Sequence, residues 1–333
     1  MRHRGWLAGW VLAVAAAGAA AQQPAAWTVR PEWVQAHEDF LASDALQGRG
    51  SATRDEQVAA EYVASEFEGY GLKPAPGMAG YLQSAYVEPA MVRGRQRMRL
   101  SDAPTGQKTY NAIGYLAGTD AKAGTILLTA HLDHLGVGRP VDGDAIYNGA
   151  DDDASGTTAV LELAHALAAG PRPRRSVLFV CYGSEELGGL GSTYFGAHPP
   201  VPLKELVANL EFEMIGAQDP KMAKGVLLLT GWERSNLGPV LREHGALLGP
   251  DPYPEQHFFQ RSDNYSLALE GVVAHTAAGW GTVPTYHQPN DDLAHLDVPF
   301  MTAAIQSLIG PLRWLADSDF RPEWNPGGRP VRQ

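Results

Sequence analysis

Thr125 to Asp133 reads TILLTAHLD and Gly149 to Gly156 reads GADDDASG, and the handover from the first stretch to the second decides the fold. Ile126, Leu127 and Leu128 form an apolar run without polar alternation, the pattern of a strand buried on both faces. The run gives way at once to His131 and Asp133, then to glycines and aspartates, as expected where strands of an α/β sheet end at their carboxyl edge. Side chains at i and i+2 of an extended segment share a face, so His131 and Asp133 can cooperate. One imidazole nitrogen would take a metal while Asp133 holds the other ring N–H, which fixes the tautomer. The triplet Asp151 to Asp153 then leads into a helix. Taken alone, such a triplet is more often a solvated turn or a helix cap than a metal site.

Outward from this stretch the same grammar repeats. Ser155 to Ala169 has helical spacing, with Val160, Leu163, Ala164 and Leu167 inward and Gly170-Pro171 as its stop. Ser176 to Tyr182 (SVLFVCY) is a second buried strand, giving a strand–helix–strand unit of the parallel kind. Gly183 to Ser192 (GSEELGGLGS) leaves its carboxyl end. Val207 to Ile215 reads as a third strand carrying Glu211 and Glu213, Val226 to Thr230 as a fourth, and Gly271 to Thr276 as another. Ser235 to Leu248 and Ser262 to Leu269 are expected to be helical. Asp297 caps a closing helix with Phe300, Ile305, Leu308, Leu312 and Leu315 on one face and Pro311 inside it. Upstream, Pro31 to Ser43 has a mixed helical pattern, Thr53 to Glu56 is a capping-box candidate opening a helix, and Met91 to Tyr115 suggests edge strands. Arg321 to Gln333, rich in Pro, Gly and Arg, is expected to fray.

Composition sets the outer bounds. Residues 1–21 have the form of a secretory signal: Arg2 and Arg4, an apolar run from Trp6 to Ala17, and the small-residue site Ala19-Ala-Ala21. The run is shorter than the roughly 20 residues a membrane span needs. The chain is therefore expected to be exported, periplasmic or secreted, with residues 22–333 as a single domain and no stable membrane association. A net charge of −11 argues against nucleic acid as a partner. Cys181 is the only cysteine, so any zinc site must use His, Asp and Glu.

Five segments offer such residues: His131 and Asp133, Asp151 to Asp153, Glu185-Glu186, Glu211 and Glu213, and His287 in YHQPND (Tyr286 to Asp291). With these motifs the chain resembles the aminopeptidase Y family of zinc exopeptidases, which also contains bacterial leucine aminopeptidases, glutamate carboxypeptidases and glutaminyl cyclases. The likeness is carried by AHLDH (Ala130 to His134), GADDDASG, EELGGLGS from Glu185, Glu213-Met-Ile-Gly216, Ser262-Asp263 and Tyr286-His287. It extends more weakly upstream through Leu41-Ala-Ser-Asp44, Gly48-Arg49 and Tyr81-Leu-Gln83 to Asn111.

The resemblance implies a three-layer αβα sandwich with a mixed, mostly parallel sheet, without the inserted protease-associated domain of some members. It also implies two Zn²⁺ per chain and peptide substrates with a free N-terminus. Carried over position by position, Asp152 would bridge the metals, His131 and Glu213 would complete one site, and Glu186 and His287 the other. Glu185 matches the general base that takes a proton from metal-activated water, and Tyr286 is a candidate hydroxyl donor to the oxyanion. The charges balance: Asp152, Glu186, Glu213 and a hydroxide offset two Zn²⁺.

Two departures from the family pattern stand out. Glu213 occupies the place of the usual Asp, with Glu211 on the same strand face but about 7 Å deeper at ~3.3 Å per residue. Asn264 stands where His is common, which opens the question of specificity. Strand parity puts His134 on the face opposite His131, so it is expected, like His165, His257, His275 and His295, to be structural or exposed. Asp291 and Asp292 are expected to support the site from outside its ligand set. The alternatives are a dizinc carboxypeptidase, which would need an arginine such as Arg139 or Arg261 for the terminal carboxylate, a glutaminyl cyclase-like enzyme, and a non-catalytic binding protein on the same fold.

Overall fold

The computed structural model describes residues 27–92 and 95–332. The expected export signal, residues 1–21, lies outside them. Two helices, α1 (Pro31–Leu41) and α2 (Arg54–Gly69), precede three strands, β1 (Leu82–Val92), β2 (Arg95–Ser101) and β3 (Gln107–Leu116). Then follow β4 (Thr125–His131), a hairpin of β5 (Gly136–Val141) and β6 (Asp144–Tyr147), α3 (Gly156–Ala169), β7 (Ser176–Tyr182), α4 (Leu190–Ala197) and β8 (Leu206–Glu213). The last third adds β9 (Leu227–Leu229), α5 (Leu237–Glu243), β10 (Leu248–Pro250), α6 (Asn264–Glu270), β11 (Ala274–Ala278) and α7 (Val298–Asp317).

The main sheet runs β10-β9-β11-β8-β4-β7-β3-β1-β2. Its centre, β11-β8-β4-β7, is parallel, as the buried apolar runs required. The β3, β1 and β2 flank is antiparallel, and at the other edge β9 pairs antiparallel with β11 and parallel with β10, so the sheet is mixed, as expected, with its parallel block carrying the site. Alternation sorts the core into two layers. Ile126, Leu128, Val177 and Phe179 pack with α1, α2, α3 and α7, while Leu127, Leu178 and Val180 pack with Phe195 of α4 and Leu267 of α6. Burying each such side chain contributes roughly 1.5–3 kcal/mol. The result is the three-layer αβα sandwich.

Local chemistry sets the helix starts. Thr53 accepts from the N–H groups of Asp55 and Glu56, and Asp297 from Phe300, as expected of N-caps. Glu56 does not close a capping box on Thr53. Its buried carboxylate accepts instead from Ala52 N–H, Tyr110 N–H and Ser184 Oγ–H. The tail from Arg321 departs from the frayed segment its composition suggests. Trp324 Nε1–H donates to Gly271 O, Asn325 N–H to Arg234 O, and Arg234 to Gly328 O, and the Trp324 ring packs against Phe259 and His275. Among the described residues no helix is long and apolar enough to cross a membrane.

One buried histidine ties fold stability to pH. His275 is 0% exposed, its Nδ1–H donating to Thr230 O (2.8 Å) and its Nε2 accepting from Ser235 Oγ–H (2.7 Å). Burial above all, opposed by the Thr230 carbonyl and aided by Arg234, pushes its pKa down to about 4. The unfolded side chain titrates near 6.5, so between these values the unfolded chain binds more protons. The contribution of His275 is complete above about pH 6.5 and is lost as pH falls toward 4. Denaturant unfolding should show wild-type stability falling across that window by on the order of 3 kcal/mol through His275. His275→Gln should flatten that limb; equal slopes in the two proteins would show that another group is responsible.

Candidate metal centre

Because β4, β7 and β8 are parallel, His131, the turn after Tyr182 and Glu213 all reach the same sheet edge. The loop before α3 enters between them. Its three aspartates divide the work. Asp151 Oδ1 accepts from Gly216 N–H (2.6 Å), and Asp153 accepts from the N–H groups of His131, Gly156 and Met214. Asp152 alone turns its carboxylate into the cleft, with Oδ1 3.2 Å from His131 Nε2 and Oδ2 3.1 Å from His287 Nε2. Asp291 accepts from the N–H groups of Asp151 (2.8 Å) and Asp152 (3.0 Å), so it supports the loop from outside the donor set, as expected.

Two donor groups share Asp152. His131, Asp152 and Glu213 each bring one ligand atom within 4.8 Å of the others, and so do His134, Asp152 and Glu186. His287 Nε2 also lies 3.1 Å from Glu186 Oε1. Whether these residues suit cations can be judged from their unpaired atoms. His131 Nε2, Asp152 Oδ2, Glu186 Oε1 and His287 Nε2 are all buried without a hydrogen-bond partner, a state that costs roughly 1–3 kcal/mol per polar group unless something binds there. Nitrogen and carboxylate donors converging without a thiol suit a pair of divalent cations.

The choice between Glu213 and Glu211 follows from depth. Glu211 is 0% exposed, and its Oε2 accepts from Asn264 N–H (2.7 Å) and Thr276 Oγ1–H (3.0 Å) behind the site. Asn264 is itself buried at the start of α6, serving Glu211 and not the cavity wall.

The two neighbouring glutamates lie in different surroundings. Burial, reinforced by Asp263, Glu213 and Glu186 against the pull of His131, raises the pKa of Glu185 well above the usual range. Burial and Asp152 push Glu186 upward too, but close contacts with His134 and His287 outweigh them and its pKa falls. Asp133 fixes the turn that separates the pair: its Oδ1 accepts from Glu185 N–H (2.9 Å) and its Oδ2 from Glu186 N–H (3.3 Å) and Ser51 Oγ–H. The expected bond from His131 to Asp133 is made chiefly to its main chain. His131 Nδ1 is 3.2 Å from the Asp133 carbonyl and 3.8 Å from the carboxylate.

His134 departs from the expectation. β4 ends at His131, so strand alternation no longer governs residues 132–134, and the His134 ring turns into the cleft with Nδ1 3.0 Å from Glu186 Oε1. The signal in the sequence is the H-x-D-H spacing, because parity holds only within the strand. Sequence reasoning also gave Arg49, Ser51 and Glu56 no part in holding the site.

Beside the donors lies a cavity of about 260 Å³ lined by Glu185, Glu186, Glu213 and Tyr286, by apolar Met214, Leu228, Phe258 and Ala278, and by Arg97 and Arg261. Tyr286 stacks on His287 with ring centroids 3.8 Å apart. Burial and the carboxylates of Asp152, Glu186 and Glu213 raise its pKa, so the phenol keeps its proton. Arg139, on β5, is exposed and is not among the lining residues.

The model of peptidase family M28 matches residues 111–309, which include all the donors above. The chain is 33% identical over 150 residues to leupeptin-inactivating enzyme 1 of Streptomyces exfoliatus, a match covering 44% of this chain and 32% of that protein. It is 30% identical over 200 residues to aminopeptidase YwaD of Bacillus subtilis, covering 58% and 41%. The matched part thus spans less than half the length of either relative. Among solved structures, a zinc aminopeptidase from Bacillus subtilis shares the fold at a TM-score of 0.65 and 18% identity, covering 87% of this chain and 96% of that one. An aminopeptidase from Aneurinibacillus sp. strain AM-1 does so at 0.62 and 16%, covering 92% and 96%.

A single buried cation holds the loops of this centre together. The Arg49 side chain is 0% exposed and donates to the carbonyls of Leu41, Leu132, Asn148 and Gly149, joining the end of α1, the exit of β4 and the aspartate loop. Burial lowers its pKa, while Glu38, Asp291, Asp133 and Asp153 favour its charge. Arg49→Met should therefore cost on the order of 3–5 kcal/mol in denaturant unfolding. Arg49→Lys, which cannot span four carbonyls with one ammonium, should recover little of this. A lysine variant as stable as wild type would show that the fork is dispensable.

Proposed function

The chain belongs to peptidase family M28, and from that premise we propose that it is a dizinc aminopeptidase removing the N-terminal residue of peptides. One observation carries the reading: two donor groups sharing Asp152 lie beside Glu185, whose surroundings favour proton uptake, at a cavity sized for about one side chain. The names of the Bacillus relative and of the structural neighbours point the same way.

In this reading His131, Asp152 and Glu213 hold one zinc, and Asp152, Glu186 and His287 the other. Zinc, when bound, supplies Lewis acidity, acidifying a water toward pKa ~7 and polarising the scissile carbonyl. Glu185 accepts the proton of the attacking water and returns it to the leaving amine nitrogen. Asp133 holds Glu185 and Glu186 apart through their N–H groups, and Tyr286, still protonated, donates to the developing oxyanion. The carboxylates at the cavity mouth suit a free α-ammonium, and Met214, Leu228, Phe258 and Ala278 suit an uncharged side chain. The leader-like residues 1–21 support export to the periplasm or beyond.

Arg97 and Arg261 on the same cavity wall favour a second reading, dizinc carboxypeptidase action, because a guanidinium can clamp a terminal carboxylate. A panel of zinc-loaded assays decides between them. Free peptides should be cleaved from the N-terminus and N-acetylated ones spared; cleavage of N-acetylated peptides from the C-terminus would establish the carboxypeptidase instead.

The unequal glutamates give the test of mechanism. Glu185→Gln should keep two zincs by elemental analysis while turnover falls by about 10² or more. Glu186→Gln and Glu213→Ala should each lose zinc, whereas Glu211→Ala should retain both. Equal zinc content in the Glu185 and Glu186 variants would overturn the division of roles.

A further inference from the structure

The His134 imidazole is 0% exposed, and neither of its ring nitrogens has a hydrogen-bond partner. Its Nδ1 lies 3.0 Å from Glu186 Oε1 and 3.9 Å from Asp152 Oδ2, the same two oxygens that each lie 3.1 Å from His287 Nε2. None of these four contacts has hydrogen-bond geometry, since Glu186 Oε1, Asp152 Oδ2 and both histidine nitrogens remain unpaired. Four donors around a tetrahedral zinc at 2.0–2.1 Å stand about 3.3–3.4 Å apart, and the measured spacings scatter about that value.

The backbone supports the placement. His134 N–H donates to Arg49 O (3.1 Å), and its carbonyl accepts from Ser51 N–H (3.2 Å), so the residue is pinned on both sides of its chain. Across from the ring is Gly149, at φ +63°, where a Cβ would stand 2.5 Å from His134 Cγ. A side chain there would displace the imidazole, so the glycine keeps the space it occupies.

We propose that His134 is a further protein ligand of the cation on the Glu186 side. The inference rests on the dizinc reading above and adds an asymmetry to it. His134, Asp152, Glu186 and His287 give that position four protein donors and close it, in the manner of a structural zinc site. His131, Asp152 and Glu213 give the other only three and leave a coordination position open, as catalytic sites do. The first cation should therefore be held tightly and the second more loosely.

The test is titration of chelator-treated full-length protein with Zn²⁺ against a chromophoric chelator, and with Co²⁺ followed by visible absorption. Wild type should bind two zincs, the first at least about tenfold tighter, and the first Co²⁺ equivalent should give the intense absorption of a four-coordinate ion. His134→Asn keeps a group able to donate to Glu186 but is a poor zinc ligand. It should weaken the tight site by about 10–100-fold and lose the intense band, while the looser zinc remains. Glu213→Ala should do the converse, losing the looser zinc and keeping the band. Unchanged tight binding in His134→Asn would make His134 a mere donor to Glu186 and overturn the proposal while two zincs per chain stand. Loss of both metals in His134→Asn, with the tight one kept in Glu213→Ala, would assign His134 a structural role. Wild-type protein binding fewer than two zincs would remove the dizinc reading and this inference together.

Discussion

Carboxylates do not gather in a dry cleft unless positive charge or oriented N–H groups compensate them, and this fold brings Asp133, Asp151, Asp152, Asp153, Glu185, Glu186, Glu213 and Asp291 to one sheet edge. Most of these side chains are nearly or fully buried. The rest of the architecture answers that constraint. Backbone amides take the first share: Asp153 is met by three N–H groups, Asp133 by two and Asp291 by two. Arg49 contributes a buried charge beneath them, and the carbonyls of three separate segments hold it in place.

Facing one another in the cleft, Asp152 Oδ2, Glu186 Oε1 and the nitrogens of His131, His134 and His287 remain without a hydrogen-bond partner, with Glu213 beside them. This division between anchored and unanchored carboxylates is what makes the cleft a cation site and not merely an acidic one. It also explains why neighbours in sequence behave differently. Asp151 Oδ1 and both oxygens of Asp153 are taken up by backbone N–H groups around Asp152, while Asp152 turns its carboxylate toward His131 and His287. Glu185 and Glu186 are one residue apart, yet the turn fixed by Asp133 sends one toward the histidines, which keep it ionised, and the other toward further carboxylates, which favour its protonation.

The placement of His134 follows from the same geometry. Once the chain leaves β4, the main chain of residues 49–51 takes over the pairing that a neighbouring strand would otherwise supply. A histidine three residues beyond the last site residue of the strand then reaches the Glu186 side of Asp152, while His131 serves the other side. Gly149, in the aspartate loop, and Arg49, remote in sequence, are what allow it.

By itself the sequence determined the parts of the structure that depend on local rules. Continuous apolar runs located β4 and fixed the bounds of β7, helical spacing and Asp297 fixed the start of α7, and the family resemblance carried by its motifs singled out His131, Asp152, Glu185, Glu186, Glu213 and His287. The absence of further cysteine restricted any zinc ligands to nitrogen and oxygen. Only the tertiary structure decided what depends on partners far away in the chain. It decided that half of the sheet is antiparallel, that the tail docks through Trp324, that Glu211 is consumed by Asn264 and Thr276, and that His131 leans on the carbonyl of Asp133. His134 shows the boundary most plainly. Parity is a property of an extended strand, it holds as long as ladder bonds keep the chain extended, and at His131 those bonds end and Arg49 and Ser51, more than 80 positions away, set the direction of the next side chains.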